Sequence, residues 1–151
     1  MTLFEVLQKA RRERDFNALV EAIPYARFMG ITLEKQDGEL IGKLSYSDML
    51  IGNTALPALH GGTTGALLES TAIFQTLWEA DTVILPKIVT ITVDYLRSAK
   101  PVDTFAWARV TRRGKTVVTV AVEAWQEDRA QPIARANAHF LIRSVSAPET
   151  P

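Results

Sequence analysis

One short stretch near the middle of the chain, Leu59-His60-Gly61-Gly62-Thr63-Thr64-Gly65-Ala66-Leu67-Leu68-Glu69, concentrates the groups that could do chemistry. A helix starting at Gly61 would present its first amides outward as unpartnered donors, with the positive end of the helix dipole behind them. Two glycines let another group come close to that backbone. Such a junction suits a phosphate or a developing oxyanion, and equally a tight turn that only leads into a core helix. Glu69 falls in the middle of the same helix, one turn from Gly65, Ala66, Ala72 and Ile73. A carboxylate desolvated by such neighbours has a raised pKa, which suits a general base or a nucleophile; an ordinary helical glutamate would reach solvent or an arginine instead. Gly62, Gly65, Ala66, Glu69 and Ala72 share a face of small residues, which predicts that something packs closely there.

Gly61 and Glu69 are eight residues apart, or about 12 Å along a helix axis. One helix therefore cannot aim both groups at a single reacting atom. Two antiparallel copies could, with Gly61 of one chain facing Glu69 of the other. The spacing predicts a site shared across a twofold interface, and hence a homo-oligomer, either a dimer or a dimer of dimers.

Other chemistries are narrowed by what the chain lacks. With no cysteine there is no disulfide, thiolate nucleophile or cysteine-ligated metal, and two histidines, His60 and His139, make a histidine-rich metal site improbable. No metal ligand set and no cofactor are expected. Gly61, Gly62 and Gly65 do not form GxGxxG, no Lys-Ser or Lys-Thr pair completes a P-loop, and GxSxG is missing. Seventeen basic against 17 acidic residues give a net charge of zero, so no broad electrostatic footprint for nucleic acid or an anionic membrane is expected. Charges follow the apolar residues at the N-terminus, the reverse of a secretory signal, and no apolar run is long enough to span a bilayer. A small soluble, cytoplasmic protein is the expectation.

The elements that must position these groups are readable from pattern. At 151 residues with 47% hydrophobic content, one domain with a real core is expected. Residues 2–22 show near-helical apolar spacing, with a restart at Asp15-Phe16-Asn17 and Pro24 closing the helix. Arg11, Arg12 and Arg14 share that segment with four acidic residues and read as a solvated face. Two runs with partial alternation flank Asp37-Gly38, a strong hairpin signal. A loop rich in Gly, Asn and Pro follows, then a helix from Gly61 to about Ala80 that is apolar on most of its circumference and therefore buried. Four β-rich runs begin after Pro86, separated by Lys100-Pro101, Arg113-Gly114-Lys115 and Asp128 to Gln131. Loops this short suit an antiparallel meander and exclude parallel crossovers. One antiparallel sheet curling around one buried helix is the economical α+β solution. His139, Trp107 and Trp125 fall in strands and read as packing residues. Met29, Met49, Leu50, Ile73 and Leu77 are candidates for an apolar pocket.

Taken together, LHGGTTGALLES, TVDYLRSAKP, VTRRGKT and ARANAHFLI resemble the hotdog-fold acyl-CoA thioesterases of the phenylacetic-acid-degradation type. The resemblance spans about residues 28–143. It implies an N-terminal helical segment over 1–28, a hotdog domain over 29–143 and a flexible tail over 144–151. It implies hydrolysis of an acyl-CoA thioester to a free acid and CoA. Gly61 would donate its amide to the thioester carbonyl with His60 beside it, and Asn53 is a further candidate for the carbonyl. Glu69 of the partner subunit would activate water or attack the carbonyl. Gly62, Arg97, Ser98 and the turn Arg112-Arg113-Gly114-Lys115-Thr116 would lie along the CoA, where phosphates reward arginine and lysine. Two positions depart from the family pattern: Thr54 stands six residues before His60, where Asn or Gln is usual, and Ile73 stands where a Ser or Thr often follows the acid. Alternatives on this fold are an acyl-thioester hydratase or dehydratase and a non-catalytic acyl-CoA-binding protein.

Overall fold

Asp37 and Gly38 both adopt positive φ, 49° and 83°, the backbone a two-residue type I′ turn demands. They join β1 (Ile31–Gln36) to β2 (Glu39–Leu44) in unbroken antiparallel register from Ile31↔Leu44 to Gln36↔Glu39. The computed structural model describes residues 1–79 and 85–142; the tail expected at 144–151 lies outside the described residues. After β2 come a 3-10 turn (Asp48–Leu50) and a two-stranded ribbon of β3 (Ile51–Asn53) and β4 (Ala58–Leu59). The long helix, α4, runs Gly61–Glu79 as its apolar pattern predicts. The four β-rich runs are β5 (Lys87–Tyr95), β6 (Thr104–Arg113), β7 (Val117–Trp125) and β8 (Ala134–Leu141).

Six strands form one antiparallel sheet in the order β1-β2-β6-β7-β8-β5, and α4 lies in its concave face. The fold is the α+β hotdog arrangement. Strand alternation puts Ala106 and Ala108 of β6, Val120, Val122 and Ala124 of β7, and Ala134, Ala136 and Ala138 of β8 in the buried layer. So many alanines bring the sheet backbone close to α4, whose Leu67, Leu68, Phe74 and Leu77 fill the space between.

The meander holds for β6-β7-β8 but not for β5, which sits at the sheet's edge beside β8. The segment from Leu96 to Asp103 crosses the ends of β8 and β7 to reach β6, about 14 Å at the usual strand spacing and well within its reach. Loop length thus excluded a parallel crossover without excluding an antiparallel skip. Gln126 holds the crossing: its Oε1 accepts from the Lys100 amide at 2.9 Å and its Nε2 donates to the Lys100 carbonyl at 2.8 Å.

The N-terminal segment breaks into three helices. α1 (Leu3–Glu13) opens on a Thr2/Glu5 capping box and ends on left-handed Arg14. α2 covers Asn17–Glu21 and α3 Pro24–Met29. Pro24 therefore opens a helix rather than closing one, as its missing N–H and fixed φ allow at the first helical position. Arg11 departs from the expected solvated face and donates to the Leu77 carbonyl near the end of α4, while Arg12 and Arg14 are exposed. With Phe16 packed on Trp78 at 4.4 Å between ring centroids, these helices share the core with α4 and the sheet.

α4 and the sheet approach closely at Gly42 of β2. A Cβ there would clash with Thr71 Oγ1 and stand 3.3 Å from Thr71 Cβ, and Thr71 is buried with its hydroxyl unpartnered. Gly42→Ala should therefore cost about 1–3 kcal/mol, the range of overpacked cores, in urea-induced unfolding. Thr71→Ala in the same chain removes the clashing hydroxyl and should restore part of that loss.

Candidate active site

The approach to α4 is fixed by the backbone on both sides. His60 donates its amide to the Leu50 carbonyl at 2.8 Å and Leu59 donates to the Ala99 carbonyl at 3.0 Å. Gly52 passes so near that a Cβ there would stand 2.6 Å from His60 Cα. His60 then acts as the helix cap. Its Nδ1 accepts the Gly62 N–H at 2.8 Å, an arrangement that assigns the Nε2–H tautomer to the neutral ring. Its carbonyl accepts from both the Thr63 amide at 2.9 Å and the Thr63 hydroxyl at 2.7 Å. The Gly61 carbonyl accepts from the Tyr95 hydroxyl at 2.8 Å. The Gly61 N–H meets no acceptor among the described residues. Of the first two helix amides, Gly61's is thus free to serve a ligand and Gly62's is already spent on His60, which removes Gly62 as an amide donor to substrate.

Gly61 opens on a cavity of about 340 Å³ lined by Ala58, Thr64, Tyr95, Arg97, Ser98 and Ile133, among others. Arg97 and Ser98 line this cavity together with Gly61. Arg97 donates to the Pro132 carbonyl at 2.7 Å, which orients the guanidinium without neutralising it. A second cavity of about 230 Å³ continues past Arg97 and Ser98 to Lys100, Gln126 and Gln131. The pair forms a groove leading from the helix end to the protein surface.

Glu69 lies two turns further along α4, on the stripe that begins with Gly61 and Gly65. Burial pushes its carboxyl pKa up from the ordinary value of 4.5, and it has neither a hydrogen bond nor an ion pair among the described residues. Glu69 is half-buried, with no arginine partner among the described residues. The Gly61 and Gly65 end of the stripe faces Tyr95 of β5, the last strand of the sheet, whose outer edge is unpaired and whose residues are mostly exposed, Val89 and Tyr95 included. Of the small-residue face, Gly65 has Tyr95 as its close neighbour, with the hydroxyl 3.5 Å from where a Cβ would stand, and the same ring lies 3.3 Å from a Cβ on Gly61.

Other expected site residues lie elsewhere. The turn Arg112 to Thr116 joins β6 to β7 at the far end of α4, about 27 Å from Gly61 at 1.5 Å per residue. There Arg113 pairs with the Glu79 carboxylate at 3.2 Å, while Arg112 and Lys115 are exposed. Asn53 sits at the end of β3, and its Oδ1 accepts from the Ala55 and Leu56 amides at 3.0 and 3.2 Å, so only its Nδ2 remains to offer. The five residues considered for an apolar pocket do not converge, since Leu77 is in the core and Met49 is 82% exposed. His139 meets Thr90 Oγ1 at 3.0 Å on the sheet's outer face. Trp107 and Trp125 flank Arg129 there and so pack as expected. Tyr95 and Thr63 were given no role by sequence reasoning. The alternation of β5, which puts Ile91, Val93 and Tyr95 on the helix side, carries the signal for the first. Among the described residues no cluster of ligating side chains could hold a metal ion, and no helix is long and apolar enough to cross a membrane.

Comparison with known proteins bears on the same segment. The thioesterase superfamily model matches residues 56–133, from the loop before α4 to the start of β8. The medium/long-chain acyl-CoA thioesterase YigI of Salmonella typhimurium is 27% identical over 135 residues, covering 80% of this chain and 86% of its own. A crystal structure from Chromobacterium violaceum aligns with a TM-score of 0.75 at 36% identity over 93% of this chain and 98% of that one. A phenylacetic acid degradation-related protein from Ralstonia eutropha JMP134 aligns at 0.71 and 22% identity over 83% and 98%, a likeness of fold.

The unpartnered carboxyl of Glu69 has a signature in stability. A raised folded-state pKa means the folded chain disfavours the ionised form, so the cost grows as pH rises through that pKa and is absent below the ordinary 4.5, where both states are protonated. Glu69→Gln carries no charge at any pH. Its melting temperature should exceed the wild type's at neutral pH, and the difference should vanish as a thermal-unfolding series descends below about pH 4.5.

Proposed function

The chain belongs to the thioesterase superfamily, and we propose that it hydrolyses an acyl-CoA thioester to the free acid and CoA at a site shared by two subunits. One observation carries this reading: the uncommitted Gly61 amide and the unpartnered Glu69 carboxyl lie two turns apart on α4, whose Gly61 end packs against β5 at the open edge of the sheet. Two copies pairing antiparallel through β5 would bury that edge and set their α4 helices side by side in opposite directions. Gly61 of one subunit would then face Glu69 of the partner subunit.

In this arrangement the thioester carbonyl lies against the helix N-terminus and accepts from Gly61 N–H, with His60 beside it. Glu69 of the partner subunit takes a proton from water as the water oxygen attacks the carbonyl carbon. The oxyanion that forms is stabilised by the Gly61 amide and the helix dipole. Collapse breaks the carbon–sulfur bond, and the proton held by Glu69 accompanies the departing thiolate. A carboxylate whose proton affinity burial has raised serves both steps. Attack by the carboxylate itself, through an anhydride, uses the same geometry. The scheme needs water and these groups alone, with no cofactor. The groove past Arg97 and Ser98 would take the pantetheine arm. The antiparallel pairing also carries the turn Arg112 to Thr116 of the partner subunit from the far end of its helix towards this groove, where Arg112 and Lys115 would meet the nucleotide phosphates. Similarity to a medium/long-chain acyl-CoA thioesterase supports a fatty acyl substrate.

Three measurements test this reading. Glu69→Gln should lower kcat by about a hundredfold or more with little change in KM, because the carboxylate acts in the chemical step. Mixing Glu69→Gln chains with inactive chains altered at Gly61 should restore activity, since one site of the mixed dimer regains both groups. A stable, active monomer would overturn the shared site. Neutralising Arg112 and Lys115 should chiefly raise KM, and the effect should shrink on a substrate truncated to the pantetheine thioester. Equal losses on both substrates would remove the turn from the nucleotide site.

A further inference from the structure

We infer that Tyr95 is a positioning residue for the Gly61 amide, holding the helix N-terminus in the orientation the thioester carbonyl requires; the inference rests on the hydrolytic reading above. Gly61 is flanked by two peptide units, and both are held. The one before it, which contains the Gly61 N–H itself, is held through the His60 carbonyl by the amide and hydroxyl of Thr63. The one after it is held at its carbonyl by Tyr95 Oη at 2.8 Å and at its N–H by His60 Nδ1 at 2.8 Å. A glycine is the residue whose φ and ψ the chain constrains least, so a donor aimed from Gly61 depends on external restraint more than one aimed from any other residue. Thr63 belongs to the same turn and moves with it, and His60 is tied to the preceding loop through its amide on the Leu50 carbonyl. Tyr95 is the restraint that comes from the six-stranded sheet.

The ring contributes as well as the hydroxyl. On β5, Ile91, Val93 and Tyr95 point to the helix side opposite Ala138, Ala136 and Ala134. At Tyr95 the helix presents Gly61 and Gly65, and Cβ atoms on them would stand 3.3 Å from Tyr95 Cε1 and 3.5 Å from its hydroxyl. The ring therefore lies flush on the first turn of α4 and lines the cavity onto which Gly61 opens. Its exposure of 56% means it fills little of the core, so its removal tests geometry more than stability. Oriented donors act on the oxyanion without reorganising at the moment of reaction, and a small displacement of one is expensive.

Tyr95→Phe removes the hydroxyl and keeps the ring. The variant should show kcat lowered about tenfold, KM within about twofold, an unchanged melting temperature and unchanged affinity for a thioether analogue of the substrate, which has no carbonyl to polarise. A variant that lost activity through KM or through analogue affinity would assign Tyr95 to substrate binding and overturn the inference, as would wild-type kcat. A second, independent readout is the coupling between Gly61→Ala and Tyr95→Ala: the added methyl presses on the ring, so Gly61→Ala should cost markedly less kcat when Tyr95 is already alanine. Strictly multiplicative losses would overturn the inference even if Tyr95→Phe proved too unstable to assay. Wild-type protein assayed in parallel separates the two levels. If it releases no thiol from any acyl-CoA, the hydrolytic reading fails; if it does, and the variants behave as wild type, only the role of Tyr95 fails.

Discussion

A helix that is apolar around most of its circumference cannot rest on a flat sheet, because a flat sheet covers only one side of it. Nearly everything in this structure follows from that constraint on α4. The sheet curls, and alanines on β6 and β8 thin its inner layer so that the backbone can come close. The N-terminal helices add cover where the sheet does not reach, with Phe16 against Trp78 and Arg11 on the Leu77 carbonyl. Gly42 gives way to Thr71 where helix and sheet come close. The start of α4, at Gly61 and Gly65, lies under Tyr95 of the edge strand, and Glu69, two turns further along, is left half-buried.

The start of α4 obeys a second constraint, the accounting of its amides. A helix end that is close to the core must find acceptors for its N–H groups or leave them to a ligand. Here the accounting is nearly closed within one turn: His60 takes the Gly62 amide on its ring and the Thr63 amide on its carbonyl. One donor, Gly61, is left over, and it opens on a cavity rather than on bulk solvent. A capping histidine thus serves two ends. It satisfies the second amide, and by doing so it distinguishes the first.

Much of this was legible in the sequence. Asp37-Gly38 specified its hairpin because no other short dipeptide fits two positive φ values as well, and the extent of α4 followed from a long apolar run bounded by a Gly-Gly pair. Gly61 and Glu69 were legible as candidates because a glycine pair at a helix start and a carboxylate among small residues are local signals, whereas Arg97 and Ser98 were candidates only through the resemblance to the hotdog thioesterases. Non-local features were less so. The position of β5 at the sheet edge depends on which strand pairs with β8, a choice that loop length does not restrict. Asn53 looked available as a side-chain donor, but the Ala55 and Leu56 amides occupy its oxygen, a contact set by the turn that follows it. Arg113 looked free, but the end of α4 brings Glu79 to it. In each case a tertiary or turn contact occupied a group that spacing alone left open.

The edge position of β5 gives the arrangement its logic. A half-buried carboxyl without a partner works against the stability of the folded chain, and an unpaired edge strand is an open invitation to association. Either feature alone would be a weakness. Side by side they are complementary, because a second copy pairing through the edge would cover the strand and deliver to each Glu69 the helix N-terminus it cannot reach along its own axis. The 12 Å between the two groups is the spacing that the proposed pairing of two copies would bridge. Tyr95 stands on that edge strand with its hydroxyl on the Gly61 carbonyl, so the strand through which two copies would join is also the strand that holds the donor in place.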